Sequence, residues 1–518
     1  MRFSTRLLSL VVLCMVCFFA FGSEFTHADN AGQDHSKPNI VFILADDLGY
    51  GDLGCYGQEK IRTPSLDTLA KEGIRFTRHY SGNNVCAPSR AVLMTAMHPG
   101  HCAIRDNREA KPEGQEPLPE NTVTLVGELK KHGYVAGAFG KWGLGAPDSV
   151  SNPLQVGFDR FYGYNCQREA HTYYPQSLWD NDKKIVVNEK PIPGHAQLKA
   201  DEDPSDPKSY ERFQGENYSA DLIADEVMRF VDQNSDQPFF LYWATTVPHL
   251  ALQVPDDSLK EYQGLWEDPP YPGGRGYLPH HTPRAAYAAM VTRMDREIGR
   301  LIELLKEKGV YENTLIVFTS DNGPLYDQLG GTDSEFFNSH GGLRGRKGSM
   351  YEGGIRVPCI VSWAGKIRPG RVSNQMTGFE DWMPTLLEIA QGAPIVNEPS
   401  IFDGISFAST LLTDGAAASE TGRPFLYRES PGYRGQQTVI VGDWKAVRTG
   451  LLPAKNSGKT LSDVPIELFN LSDDPTESND LAVRYPEKVA ELEKIMKREH
   501  TRSSVFILPL VDGDTDEK

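Results

Sequence analysis

The stretch Asn39-Ile40-Val41-Phe42-Ile43-Leu44-Ala45-Asp46-Asp47 is a continuous apolar run closed by two carboxylates. A strand covered on both faces has no solvent side, so it shows an unbroken run where a half-exposed strand would alternate. The run predicts a buried parallel strand in an α/β fold. Far along the chain, Thr314-Leu315-Ile316-Val317-Phe318-Thr319-Ser320 repeats the pattern and ends in Asp321-Asn322-Gly323. Tyr134 to Phe139 and Pro238 to Ala244 read as two further strands, leading to Lys141 and to Pro248-His249 respectively. In open α/β sheets, ligands bind beyond the carboxyl ends of the strands. Three carboxylates and an amide gathered there repel unless a cation lies between them, and an all-oxygen set favours calcium or magnesium over zinc or copper. Taken singly, Asp-Asp as a helix cap and Asp-Asn-Gly as a turn are the commoner uses of such residues.

A second feature is Cys86-Ala87-Pro88-Ser89-Arg90. Proline suits the first turn of a helix, where no N–H is needed, and Ala91 to Met94 are helix formers. Cys86 is therefore expected at or just before a helix N-terminus, where free N–H groups and the dipole acidify a thiol. Arg90 adds a fork of donors suited to an oxyanion. Between Arg75 and Arg108 there are five arginines, with His79, His98 and His101, against the single carboxylate Asp106, although the chain carries a formal net charge of -17. Local cations on an acidic protein predict that a small anionic group is held there. The acidic balance excludes general nucleic-acid binding.

The CAPSR pentapeptide resembles the CxPSR signature of the type I, formylglycine-dependent sulfatases of the alkaline phosphatase superfamily. Leu93-Met94-Thr95 continues the resemblance, although Ala96-Met97 stands where the family carries Gly-Arg. Thr63 to Ala70 is similar to the TPxLDxLA segment of that family. Gly140-Lys141-Trp142-Gly143-Leu144-Gly145 is similar to GKWHLG, and Leu343 to Gly348 with Tyr351 to Pro358 resembles LRGxKGxxYEGGxRVP. The resemblance implies an alkaline-phosphatase-like α/β fold: a large mixed, mostly parallel sheet sandwiched by helices, with a smaller C-terminal α+β subdomain containing a short antiparallel sheet. It implies that a formylglycine-generating maturation enzyme oxidises Cys86. It implies one divalent ion, calcium before magnesium, on Asp46, Asp47, residue 86, Asp321 and Asn322. It further implies that Arg90, Lys141 and Lys347 stabilise charge on the sulfuryl group while His249 protonates the leaving oxygen. The family histidine of GKWHLG is replaced by Gly143, and His340 is the first candidate to compensate for it.

At 518 residues the chain exceeds one ordinary core, which predicts a large domain and a smaller one. The expected division is a catalytic domain over 37–420 and a C-terminal subdomain over 424–518. Residues 1–22 combine Arg2 and Arg6, the apolar run Leu7 to Phe21 and a small-residue cleavage pattern, as a secretory signal does. The expected destination is periplasmic or secreted, with no membrane attachment after cleavage. Beyond that segment, Cys55, Cys102, Cys166 and Cys359 remain besides Cys86, enough for up to two disulfides with the pairing open. Residues 152–215 are irregular and aromatic, either a surface insertion or a sugar-binding rim, with His171 and Arg168 as substrate contacts. The expected function is an exported sulfatase acting on a sulfated carbohydrate. Two rivals are a phosphate or phosphonate ester hydrolase on the same fold, and a catalytically weak binder of sulfated glycan in which Gly143 marks the loss.

Overall fold

A computed structural model describes residues 37–393, 401–413, 422–454 and 457–513. The strand Asn39–Ala45 is buried along its whole length. Its alternate residues meet two different cores. Val41 and Ile43 pack with side chains of the helices Ser219–Asn234 and Pro283–Glu307 on one face of the sheet. Ile40, Phe42 and Leu44 pack with the helices Cys86–Thr95, Leu125–Lys131 and Trp382–Gln391 on the other. Burial on both faces is why the run shows no alternation.

This strand lies inside a ten-stranded sheet. In spatial order the strands are Arg371–Ser373, Ile74–Phe76, Cys359–Ser362, Thr314–Ser320, Asn39–Ala45, Phe239–Ala244, Val135–Lys141, Arg160–Tyr164, Ser177–Asp180 and Lys183–Val186. The run from Thr314–Ser320 to Arg160–Tyr164 is parallel throughout. Its register sets Ala45 opposite Ser320, Leu44 opposite Ala244, and Ala244 opposite Gly140. Four adjacent strands therefore end at one level on one edge.

The stretch 152–215 is less irregular than expected. It supplies the fifth parallel strand and an antiparallel edge pair, Ser177–Asp180 with Lys183–Val186. The edge strand Lys183–Val186 is largely exposed, so it lacks the apolar pattern that betrays a strand.

Near the C-terminus, Leu426–Ser430, Gln436–Val441, Trp444–Thr449 and Ile466–Asn470 form a separate antiparallel sheet against the helix Pro486–Glu499. Buried ion pairs tie it to the large sheet's loops. Arg428 meets Glu380 at 2.7 Å, and Lys445 lies 2.9 Å from both Glu352 and Glu477. The described residues fall in one compact unit. Cys55, Cys86, Cys102, Cys166 and Cys359 are all free, so the expected disulfides do not form among them; Cys102 lies beside Thr95 and Cys166 beside Gln115, in separate surroundings. The signal reading of residues 1–22 lies outside the described residues. Among those described, no helix is long and apolar enough to cross a membrane.

Candidate active site

The four aligned strand ends deliver the site. Asn39–Ala45 ends at Asp46 and Asp47, Thr314–Ser320 at Asp321 and Asn322, and Val135–Lys141 closes on Lys141 itself. Phe239–Ala244 runs through a short loop to His249. The Tyr173 hydroxyl donates to the carbonyls of Thr246 and His249, at 2.6 and 2.9 Å, and fixes that loop. Cys86 opens a helix whose ten residues are all buried. Its Sγ lies 3.2 Å from Asp46 Oδ1 and 3.3 Å from Lys347 Nζ. Lys141 Nζ donates to Asp46 Oδ2 at 2.6 Å, and Lys347 Nζ lies 2.6 Å from Asp47 Oδ1.

Burial opposes charge throughout this cluster, and the pairings decide which groups keep it. Burial alone would raise Asp46, but Lys141, with Arg90 and Lys347, outweighs it and holds the carboxyl well below the usual range. Asp47 goes the other way, raised by burial and by its neighbour Asp46 against the pull of Lys347. Asp321 is pushed up to about 6 by burial and by Asp46. Burial also holds His249 well below the usual imidazole value. Its Nδ1 meets the Leu250 carbonyl at 2.7 Å, leaving Nε2 directed to Asp47 at 3.5 Å. The helix N-terminus does not acidify Cys86. Burial, Asp321 and Asp46 raise the thiol instead, because desolvation and two nearby carboxylates disfavour the thiolate more than Lys141 and Lys347 favour it.

The site suits a cation. Ligand atoms of Asp46, Asp47, Cys86 and His249 lie within 4.8 Å of one another. Asn322 donates through Nδ2 to Asp47 at 2.7 Å, while its buried Oδ1 has no hydrogen-bond partner among the described residues. An orphaned buried carbonyl oxygen beside three carboxylates is a ready ligand for a hard cation.

Other expected residues are placed differently. Arg90 was expected to face the transferring group. It instead clasps Asp321 Oδ2 through Nε and Nη2, at 3.1 and 2.8 Å, and donates to the Lys141 carbonyl. The charged residues around it are mostly paired within the protein. Arg105 pairs with Glu429, His98 with Glu499, His101 with Asp403 and Arg78 with Asp443, so most of these cations fasten surrounding chain segments. His340 lies 3.4 Å from Glu335. Arg168 is exposed and pairs with Glu109 at 3.2 Å.

His171 does reach the site, with its ring stacked on His249 at 5.2 Å and 17°. The Tyr277 N–H donates to His195 Nδ1 at 3.0 Å, so the hydrogen of His195 is on Nε2, which faces His171 Nδ1 at 3.1 Å. Neutral His171 then carries its own hydrogen on Nε2, available to donate outward. Two polar residues, Gln167 and Asn107, were not among the expected site residues. A Cβ on Gly143 would fall 3.0 Å from Nε2 of Gln167, so Gln167 occupies the space where a side chain at 143 would project. Gln167 donates to Asn107 at 3.4 Å, and Asn107 accepts the Ala87 N–H at 3.0 Å, next to Cys86.

Comparison with known proteins agrees with this geometry. The family model described as sulfatase matches residues 38–393, and the one described as N-sulphoglucosamine sulphohydrolase, C-terminal, matches 345–504. Human arylsulfatase A is 34% identical over 470 residues, covering 86% of this chain and 83% of that protein. The N-acetylgalactosamine-6-O-sulfatase of Bacteroides thetaiotaomicron is 29% identical, covering 91% and 94%. The solved structure of Ps i-CgsB in complex with k-i-k-neocarrahexaose superposes with a TM-score of 0.70 at 26% identity, covering 92% of this chain and 96% of that one. A cysteine-headed helix, two buried lysines and three strand-end carboxylates thus meet in one pocket, and the chain belongs to the type I sulfatases of the alkaline phosphatase superfamily, the hydrolases of sulfuric esters.

Proposed function

We propose that this chain hydrolyses sulfate esters of a carbohydrate, with Cys86 converted to formylglycine and one calcium ion held by Asp46, Asp47, Asp321 and Asn322. The observation that carries the reading is the convergence of Asp46 and Lys347 on Cys86, at 3.2 and 3.3 Å. The carbohydrate is supported by the relative named for N-acetylgalactosamine and by the neighbour solved with a neocarrahexaose. Cys86 Sγ stands in for the formylglycine oxygens. Formylglycine supplies a hydrated aldehyde, whose hydroxyl is the nucleophile toward sulfur, and the cation supplies positive charge against three carboxylates.

The protein's own groups do the rest. Lys141 and Lys347 place two fixed positive charges where sulfuryl oxygens accumulate negative charge. Arg90 keeps Asp321 ionised and oriented. His249 is neutral in this structure, since burial disfavours its cation. An entering sulfate monoester adds negative charge beside Nε2 and favours uptake of the proton that the leaving oxygen requires. His171 holds the His249 ring by stacking and presents Nε2–H to the sugar. We also propose export to a periplasm or beyond, directed by residues 1–22, which suits a polymeric extracellular substrate.

The test is co-expression with a formylglycine-generating enzyme, mass spectrometry of the Cys86 peptide, and turnover of matched sulfate and phosphate esters. Converted Cys86 with sulfate release and little phosphate release is expected. Phosphate release with unmodified Cys86 would move the protein to the phosphoesterases. Glycan binding without sulfate release despite conversion would make it a binding protein.

A further inference from the structure

The antiparallel sheet carries a feature that catalysis does not use. Its first hairpin, between Leu426–Ser430 and Gln436–Val441, turns through Tyr433 and Arg434. Both residues adopt left-handed backbone, with φ of 51° and 75°, as residues in hairpin turns often do. The turn projects its side chains outward. Tyr433 is 53% exposed, and Arg434 is exposed with no ion pair among the described residues.

The turn stands beside the catalytic pocket. A Cβ on Gly348 would fall 2.4 Å from the Tyr433 ring, so the ring lies against the backbone one residue after Lys347. Gln436, at the base of the turn, donates to the Gly348 carbonyl at 2.7 Å and accepts the Met350 N–H at 3.1 Å. Hairpin and Lys347 loop are thus one rigid unit. Between them opens a cavity of about 670 Å³, lined by Tyr326, Tyr351, Tyr433, Arg434 and Lys459. That volume falls within the range of ligand clefts, about 300–1,000 Å³. The Tyr326 and Tyr433 rings offer flat apolar faces, and Arg434 and Lys459 outnumber the carboxylate of Asp463 in the lining, on a protein of net charge -17. Such a local excess of positive charge favours an anionic ligand.

We propose that this cleft is a second glycan subsite, in which the sugar neighbouring the cleaved sulfate lies on Tyr433 and presents an oxyanion, sulfate or carboxylate, to Arg434. The preferred substrate is then an oligosaccharide with at least two anionic groups. The inference rests on the sulfatase reading above and deepens it.

The formylglycine-bearing enzyme is tested on four compounds: a sulfated monosaccharide, and disaccharides of that unit whose neighbouring sugar is neutral, sulfated or uronic. The wild type is expected to show a kcat/KM about tenfold or more higher for an anionic neighbour than for a neutral one, since a charge-assisted hydrogen bond is worth a factor of that order. Whichever of the sulfated and uronic arms is favoured names the oxyanion. In Arg434→Ala and Arg434→Gln the ratio is expected to fall toward one, and Tyr433→Ala is expected to raise KM for all disaccharides. A wild-type ratio near one, or a ratio that survives both arginine variants, overturns the subsite. Failure to cleave any of the four compounds would count against the sulfatase reading. Calorimetric affinities for the same disaccharides would then decide the subsite on the same ratios.

Discussion

Gly143 shows how one position reorganises its neighbours. Its φ of +79° is left-handed, which costs a residue with a side chain about 1–2 kcal/mol. Gln167 already fills the adjoining space. Restoring a histidine by Gly143→His is therefore expected to lower the melting temperature and leave sulfate release no faster. Gln167→Ala frees Asn107 beside the Ala87 N–H. It is expected to lower kcat/KM about tenfold, as loss of one polar contact at a reacting centre does, while the melting temperature changes little. Steady-state kinetics and thermal melts on both variants check this, and faster turnover by Gly143→His would refute it. Lys347 is buried between Asp47 and Cys86. Lys347→Met removes a charge aimed at the reacting group and is expected to lower kcat about 100-fold or more, read by sulfate release from an aryl sulfate.

At the scale of elements, the C-terminal helix Pro486–Glu499 and the residues just after it are fastened by histidines. His500 Nδ1 lies 2.7 Å from Glu429 and Nε2 lies 3.1 Å from Asp512. Burial alone would lower its pKa, but Glu429 and Asp512 outweigh that and raise it. A pKa raised in the folded state means the folded protein binds the proton more tightly. The stability gained is complete below the unfolded value of about 6.5 and is lost as pH rises through the folded value. Glu429 is lowered, because His500 and Arg105 outweigh its burial, so its share persists down toward its unfolded value. The gap in urea stability between wild type and His500→Ala is expected to be about 1–3 kcal/mol near pH 6 and to shrink by pH 9. A gap that widens with pH would rule out the charged pairing. The same sheet braces catalysis. Asn83 donates to the Glu429 carbonyl at 2.9 Å and Arg428 to the Ser81 carbonyl at 2.8 Å, holding the segment that enters Cys86.

For the whole molecule, three carboxylates from strands some 275 residues apart in sequence share one pocket, with the Asn322–Asp47 bond as their link. Binding a cation to the folded state alone stabilises it by mass action. Exhaustive dialysis against a chelator is expected to lower the melting temperature by several degrees and abolish sulfate release, with calcium restoring both. An unchanged melt would mean that the lysines alone neutralise the site. Much of this layout was legible beforehand, for particular reasons. The runs ending in Asp46 and Asp321 are buried on both faces, and the order of motifs places their ends on one edge. The role of Arg90 on Asp321, the Gln167–Asn107 pair and the docking of His98, His101 and Arg105 onto surrounding segments were not legible. Each joins polar residues far apart in the chain, with no periodicity to mark them.

Local chemistry along the chain was enough to establish the central strands and the cysteine-headed helix, because burial and helix propensity act over a few neighbouring residues, while the resemblance of the motifs to a known family supplied the sulfatase reading of their charged ends. Which cation neutralises which carboxylate, and whether the thiol is acidified or suppressed, depended on the packed molecule. Those outcomes are set by distances of a few ångströms between side chains that the linear order keeps hundreds of residues apart.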